Sequence, residues 1–184
     1  NDARPDRTDE FARLKAAMGN GLSLERIFLV GHSTGGIYIS HLVEAVDAMH
    51  FDLAVKFDVV LLAPANTHKL FDETIAKHGA RIRWMSMFAM KDAVERNDGL
   101  LGDDWKRAFY PSSLLYFVSG LLEDEPDMPL VGMQRFNVGA SFTAPEYPEC
   151  DALRAWLGTP DHRLVWSIAD DGDGRRSQSR KHGN

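Results

Sequence analysis

The sequence predicts an α/β fold: a mostly parallel β-sheet with helices on both faces. Three observations carry this. Strand candidates recur near residues 26–30, 57–63, 81–90 and 163–168, the first two being apolar runs. Continuous rather than alternating apolar character marks a strand covered on both faces, as in a parallel sheet. Between the candidates lie segments whose apolar residues recur at helical spacing, and strand alternating with helix is the pattern of parallel topology.

Taken in order, the first ten residues are polar. A helix is predicted from Thr8, which can cap it; Asp9 and Glu10 suit its positive end and Gly19 can stop it. Phe11, Leu14 and Met18 fall on one face. Arg26 to Val30 is the first buried strand. A helix follows from about Gly35 to Met49, with Ile39, Leu42, Val43 and Val46 on its buried side. Phe57 to Ala63 is the second strand, ended by Pro64. Thr67 to His78 reads as helix and Arg81 to Met90 as the third strand, so Trp84, Met85, Met87, Phe88 and Met90 are assigned to core packing rather than to a substrate site. Between 97 and 160 the pattern is less regular: an apolar helix over Ser112 to Glu123, a proline-rich stretch, and a short helix over Cys150 to Leu157. Arg163 to Ile168 is the last strand, and Asp170 to Asn184 a polar loop, acidic first and then basic.

Composition bounds the function. The 184 residues suit a single domain. With 44% hydrophobic and 26% charged residues the chain is globular, not disordered. A net charge of -6 argues against nucleic acid as a partner. The longest apolar stretch, near Leu114 to Leu122, is too short for a transmembrane segment. Cys150 is the only cysteine, so no internal disulfide forms; this fits a reducing compartment, and an inert thiol is expected there. No HExxH or comparable metal-ligand spacing occurs, and Asp170, Asp171 and Asp173 fail as a calcium loop because Arg175 takes the next ligand position. The chain begins at Asn1 rather than a methionine and stops after a polar loop, and reads as a piece of a longer protein.

One motif carries chemistry. Gly31-His32-Ser33-Thr34-Gly35-Gly36 lies between a buried strand and an amphipathic helix, where a strained nucleophile elbow belongs. A serine on so sharp a turn needs small neighbours two positions away, hence glycine at 31 and 35, while Gly36 is expected to let the helix approach the sheet. The Thr34 N–H can donate to a developing oxyanion. A dinucleotide fingerprint would need glycine where Ser33 stands, and a Walker loop would need lysine where Ile37 stands.

The segment from Ile27 to Gly36, IFLVGHSTGG, resembles the elbow of the α/β-hydrolase family, whose lipases and esterases often carry GHSxGG. The resemblance implies a serine hydrolase with no metal or organic cofactor and a small-molecule ester or acyl substrate. In that family the elbow follows the fifth strand, the acid the seventh, and the histidine the eighth. These strands map onto the four candidates above. The resemblance therefore implies Ser33 as nucleophile, Asp92 as the acid following the third candidate, and His182 as the base beyond the last. Lys91-Asp92-Ala93-Val94 is similar to the family's acid turn, and His182-Gly183 to its His-Gly pair. Glu95, Asp98, Asp103 and Asp104 compete for the acid role. Among the other histidines, His32 is expected to pack near the elbow, His41 and His50 to lie on or just after the helix, and His68, His78 and His162 to lie at the surface.

Two departures follow. Only 32 residues precede Ser33, whereas the family's earlier strand–helix units take roughly 30 residues each. A partial α/β-hydrolase fold is expected, with an exposed elbow strand and the second oxyanion donor outside the chain. The stretch 99–160 is also longer than a simple link and is expected to serve as cap, partner surface or scaffold. The rival function is a non-catalytic α/β-hydrolase-like module that binds a partner through 99–160.

Overall fold

The computed structural model describes residues 7–20, 26–49, 55–98, 112–137, 150–171 and 175–180. In chain order the elements are α1 Arg7–Gly19, β1 Ile27–His32, α2 Gly35–Ala48, β2 Phe57–Leu62, α3 His68–His78, β3 Ile82–Met90, α4 Asp92–Glu95, α5 Leu114–Phe117, α6 Gln134–Asn137, α7 Cys150–Leu157, β4 His162–Ser167, β5 Ala169–Asp171 and β6 Arg175–Ser177. Strands β1 to β4 form one sheet in sequence order, with every neighbouring pair parallel. In-register pairing of Gly31 with Leu61, Leu61 with Met87 and Met87 with Leu164 aligns the strands, so their C-terminal ends form one edge.

The main core is built by α2 and α3 against this sheet. Ile39, Val43 and Val46, spaced as one helix face, are buried with Phe57, Val59 and Leu61 of β2 and Met85 and Met87 of β3. Phe71 of α3 and Leu153 of α7 close the same cluster. Each such side chain contributes roughly 1.5–3 kcal/mol when fully buried. Thr67 caps α3, its hydroxyl accepting the Leu70 N–H at 3.1 Å, and Lys77 and His78 oppose the negative end of the helix dipole. Met18 of α1 packs against the core, while the side chains of Phe11 and Leu14 lie outside the described set.

A second core joins Ala63 and Ala65, just past β2, to Leu115, Leu130, Met133 and Phe136. Backbone bonds fix this contact: Val131 N–H donates to Asn66 at 2.8 Å, Gly132 N–H to Pro64 at 3.0 Å, and Ser113 N–H to Glu95 at 2.9 Å. The 112–137 segment therefore sits on the chain leaving β2 and β3, at the C-terminal edge of the sheet.

Four sequence expectations change. Strand β1 is not covered on both faces: Ile27 and Leu29 pack on the core, while Phe28 and Val30, on the opposite face, are 58% and 66% exposed. The apolar helix is shorter than Ser112 to Glu123. Ser113 caps α5, and the turn widens to π geometry over Val118–Leu122, where Ser119 bonds its hydroxyl to the Met128 carbonyl at 2.7 Å. The start of the polar tail is an antiparallel hairpin, with Asp170 opposite Arg176 and Asp171 opposite Arg175 in backbone register. Finally, His68 is not at the surface but 1% exposed, because 129–137 folds over the start of α3.

Candidate active site

Ser33 stands at the turn between β1 and α2 with φ +53, the left-handed region that a non-glycine residue enters at a cost. The turn is held from both sides. Ser33 N–H donates to the Leu62 carbonyl at 2.9 Å, and its own carbonyl accepts from Gly36 and Ala65, each at 3.1 Å. Ala63, at the exit of β2, is also left-handed at φ +42. Two adjacent strands thus end in strained turns that hydrogen-bond to one another.

The glycines divide the work differently from expectation. A Cβ on Gly31 would come within 2.7 Å of the Gly35 backbone and 2.8 Å of Ile39. A Cβ on Gly36 would meet the Asn66 side chain at 2.1 Å, so Gly36 admits the loop after β2 rather than the sheet itself. A Cβ on Gly35 would touch nothing within 4 Å. Residue 35 matters as backbone that Gly31 must clear, not as a missing side chain.

Thr34 is the N-cap of α2, and its side chain makes no capping bond. Among the described residues its N–H and the Ser33 hydroxyl have no hydrogen-bond partner. The positive end of the α2 dipole lies directly behind them. The arrangement presents a hydroxyl and an N–H donor side by side, as addition to a carbonyl requires. His32 ends β1 with an exposed side chain.

Asp92 opens α4 just beyond β3 and is buried. Ser33 and Asp92 occupy the same sheet edge with β2 between them, a lateral separation of about 10 Å at two strand spacings. No hydrogen bond joins them directly; an intervening group is needed. The Asp92 carboxylate already has company. Tyr116 donates its hydroxyl to Oδ1, and Arg96 Nε forms an ion pair with Oδ2 at 2.8 Å. Glu95, a rival for the acid role, is fully buried, with neither carboxyl oxygen hydrogen-bonded among the described residues. Burial first, and the neighbouring Asp92 charge second, push its carboxyl well above the usual range, so it is held neutral. Asp98 lies just past α4, whereas Asp103, Asp104 and the base candidate His182 lie outside the described residues.

The chain nevertheless returns toward the site. Ser177 of β6 shares a 2.7 Å hydroxyl–hydroxyl bond with Ser167 at the end of β4, and the Ser167 carbonyl accepts the Lys91 N–H at 3.1 Å. Residue 177 is thereby fixed beside the residue that precedes Asp92.

Sequence reading missed Tyr116, Arg96 and Gln134 around Asp92, and Asn66, whose amide donates to Ser40 Oγ at 2.9 Å behind the elbow. The apolar run holding Tyr116 was visible, but its partner was not. Among the described residues no group of three His, Cys, Asp or Glu side chains is set to hold a metal ion, and no helix is long and apolar enough to cross a membrane.

A sequence model of the alpha/beta hydrolase family matches residues 2–183, and the chain belongs to that family. No curated protein and no solved structure matches it significantly.

Proposed function

We propose that this member of the alpha/beta hydrolase family is a serine hydrolase acting on carboxylic esters through Ser33, His182 and Asp92. The observation that carries the reading is the left-handed Ser33, its hydroxyl and the neighbouring Thr34 N–H at the head of α2 unbonded among the described residues. Strain of this kind persists only where surrounding bonds enforce it, and here three backbone bonds do so.

In the proposed reaction His182 takes the Ser33 proton as the oxygen attacks the ester carbonyl. The resulting oxyanion accepts the Thr34 N–H. The intermediate collapses, the carbon–oxygen bond to the alcohol breaks, and His182 returns the proton to that alcohol. Water, deprotonated by His182, then attacks the acyl-enzyme and releases the acid, regenerating Ser33. Asp92 orients the imidazole and stabilises it while protonated. No metal or organic cofactor takes part.

The test is hydrolysis of p-nitrophenyl butyrate by the full-length protein. Ser33→Ala and His182→Ala should each lower kcat by about 1000-fold or more. Full activity in Ser33→Ala would end the proposal. The rival reading, a binding module using 99–160, draws on one observation: both Asp92 carboxylate oxygens are already engaged by Tyr116 and Arg96.

A further inference from the structure

Asp92 is gripped from three directions. Its N–H donates to Gln134 Oε1 at 2.8 Å, the Tyr116 hydroxyl donates to Oδ1, and Arg96 Nε lies 2.8 Å from Oδ2 as an ion pair. The Arg96 Nε–H itself donates to the Tyr116 oxygen at 3.2 Å, closing a ring of three side chains. Tyr116 and Gln134 both come from the 112–137 segment, which is not part of the sheet. The Tyr116 ring is itself held, with the Arg135 guanidinium 5.4 Å from its centre.

We propose that Tyr116 is a positioning residue for the triad acid: through its bond to Asp92 it makes the seating of the 112–137 segment a condition of fast turnover. The inference rests on the triad reading above. A carboxylate offers about four lone-pair sites, so the bond from Tyr116 and the ion pair with Arg96 leave a site open on each oxygen. They also stop rotation about the Cβ–Cγ bond, so the open lone pair points in one direction. An imidazole N–H then meets an acceptor whose orientation was set during folding, which is what positioning supplies to catalysis. Burial, and next the bond to Asp92, raise the Tyr116 phenol above its ordinary range, so it remains a donor wherever the hydrolase operates.

Because Tyr116 acts only through Asp92, its effect must vanish when residue 92 no longer serves as the acid. The experiment is a double-mutant cycle on p-nitrophenyl butyrate hydrolysis by the full-length protein, with folding checked by urea midpoint. Tyr116→Phe alone should lower kcat roughly 10-fold with KM changed less than about 2-fold, the loss of one hydrogen bond to a charged group. In the Asp92→Asn background the same substitution should cost less than about 2-fold. Equal losses in both backgrounds would show a merely structural tyrosine and overturn the inference. So would an inactive Asp92→Asn beside a fully active Tyr116→Phe, with the triad reading intact. Wild-type activity in Asp92→Asn would instead remove the triad acid, and the inference with it. Should Tyr116→Phe fail to fold, Arg96→Gln, altered at an exposed side chain, runs the same cycle with the same expected pattern and the same contradicting outcomes.

Discussion

The carbonyl of Ser33 accepts the N–H of Ala65 at 3.1 Å, tying the exit of β1 to the exit of β2. Around that bond lie two left-handed non-glycine residues, Ser33 at φ +53 and Ala63 at φ +42. Each strained residue is held by the next strand, since Ser33 N–H reaches Leu62 of β2 and Ala63 N–H reaches Phe88 of β3 at 2.7 Å. The elbow is therefore a property of two loops, not of the GHSTGG segment alone.

Ser33→Gly separates strain from chemistry. Glycine enters the left-handed region without the Cβ penalty, so the variant should gain about 1 kcal/mol of stability. It should also lose esterase activity. Urea denaturation and p-nitrophenyl butyrate turnover, measured on one preparation, check both halves.

The three glycines should respond unequally to alanine. Gly31→Ala and Gly36→Ala force a Cβ to within 2.7 Å of backbone and 2.1 Å of the Asn66 amide, costing on the order of 1–3 kcal/mol or more. Gly35→Ala meets open space at the start of α2 and should leave stability unchanged or raise it by about 0.5–1 kcal/mol. Thermal unfolding of the three variants decides the order.

Buried Glu95 should make the fold less stable as pH rises. Its carboxyl holds a proton in the folded state that the unfolded chain releases near its ordinary value of 4.5. The contribution is complete below that value and is lost, at about 1.4 kcal/mol per pH unit, as pH climbs toward the raised folded value. Glu95→Gln removes this loss, so its advantage over wild type should widen between pH 5 and pH 8 in urea titrations.

His68 has the opposite sign. Burial first, with the Arg154 charge second, lowers its imidazole from 6.5 to about 3. Neither state carries the proton above 6.5, but below it the unfolded chain binds one that the folded protein refuses. Stability should therefore fall as pH drops from 6.5 toward 3, by about 2 kcal/mol at pH 5. His68→Gln abolishes this share of the acid sensitivity, and urea midpoints at pH 5 and 7.5 measure it.

Much of this architecture is written locally. Runs such as Phe57 to Leu62 and Ile82 to Met90 are mostly apolar, as a parallel sheet covered on both faces demands, and they predict β2 and β3 to within a residue or so. The elbow is legible because a left-handed serine needs Gly31 beneath it. What escapes the sequence depends on distant chain. His68 is polar and sits in a helix that looks solvent-facing; only the 129–137 segment buries it. The Tyr116–Asp92 bond joins residues 24 apart, and no periodicity signals it. The exposure of Phe28 and Val30 is set by what packs beside β1 and is not legible in its own apolar run.

The most direct measurement of the central claim is the site of covalent labelling by a fluorophosphonate on the full-length protein, located by mass spectrometry. The account predicts a single adduct on Ser33, absent in Ser33→Ala and formed at least about 100-fold more slowly in His182→Ala. A folded protein that leaves Ser33 unmodified, or that is labelled elsewhere at the same rate in Ser33→Ala, would contradict it.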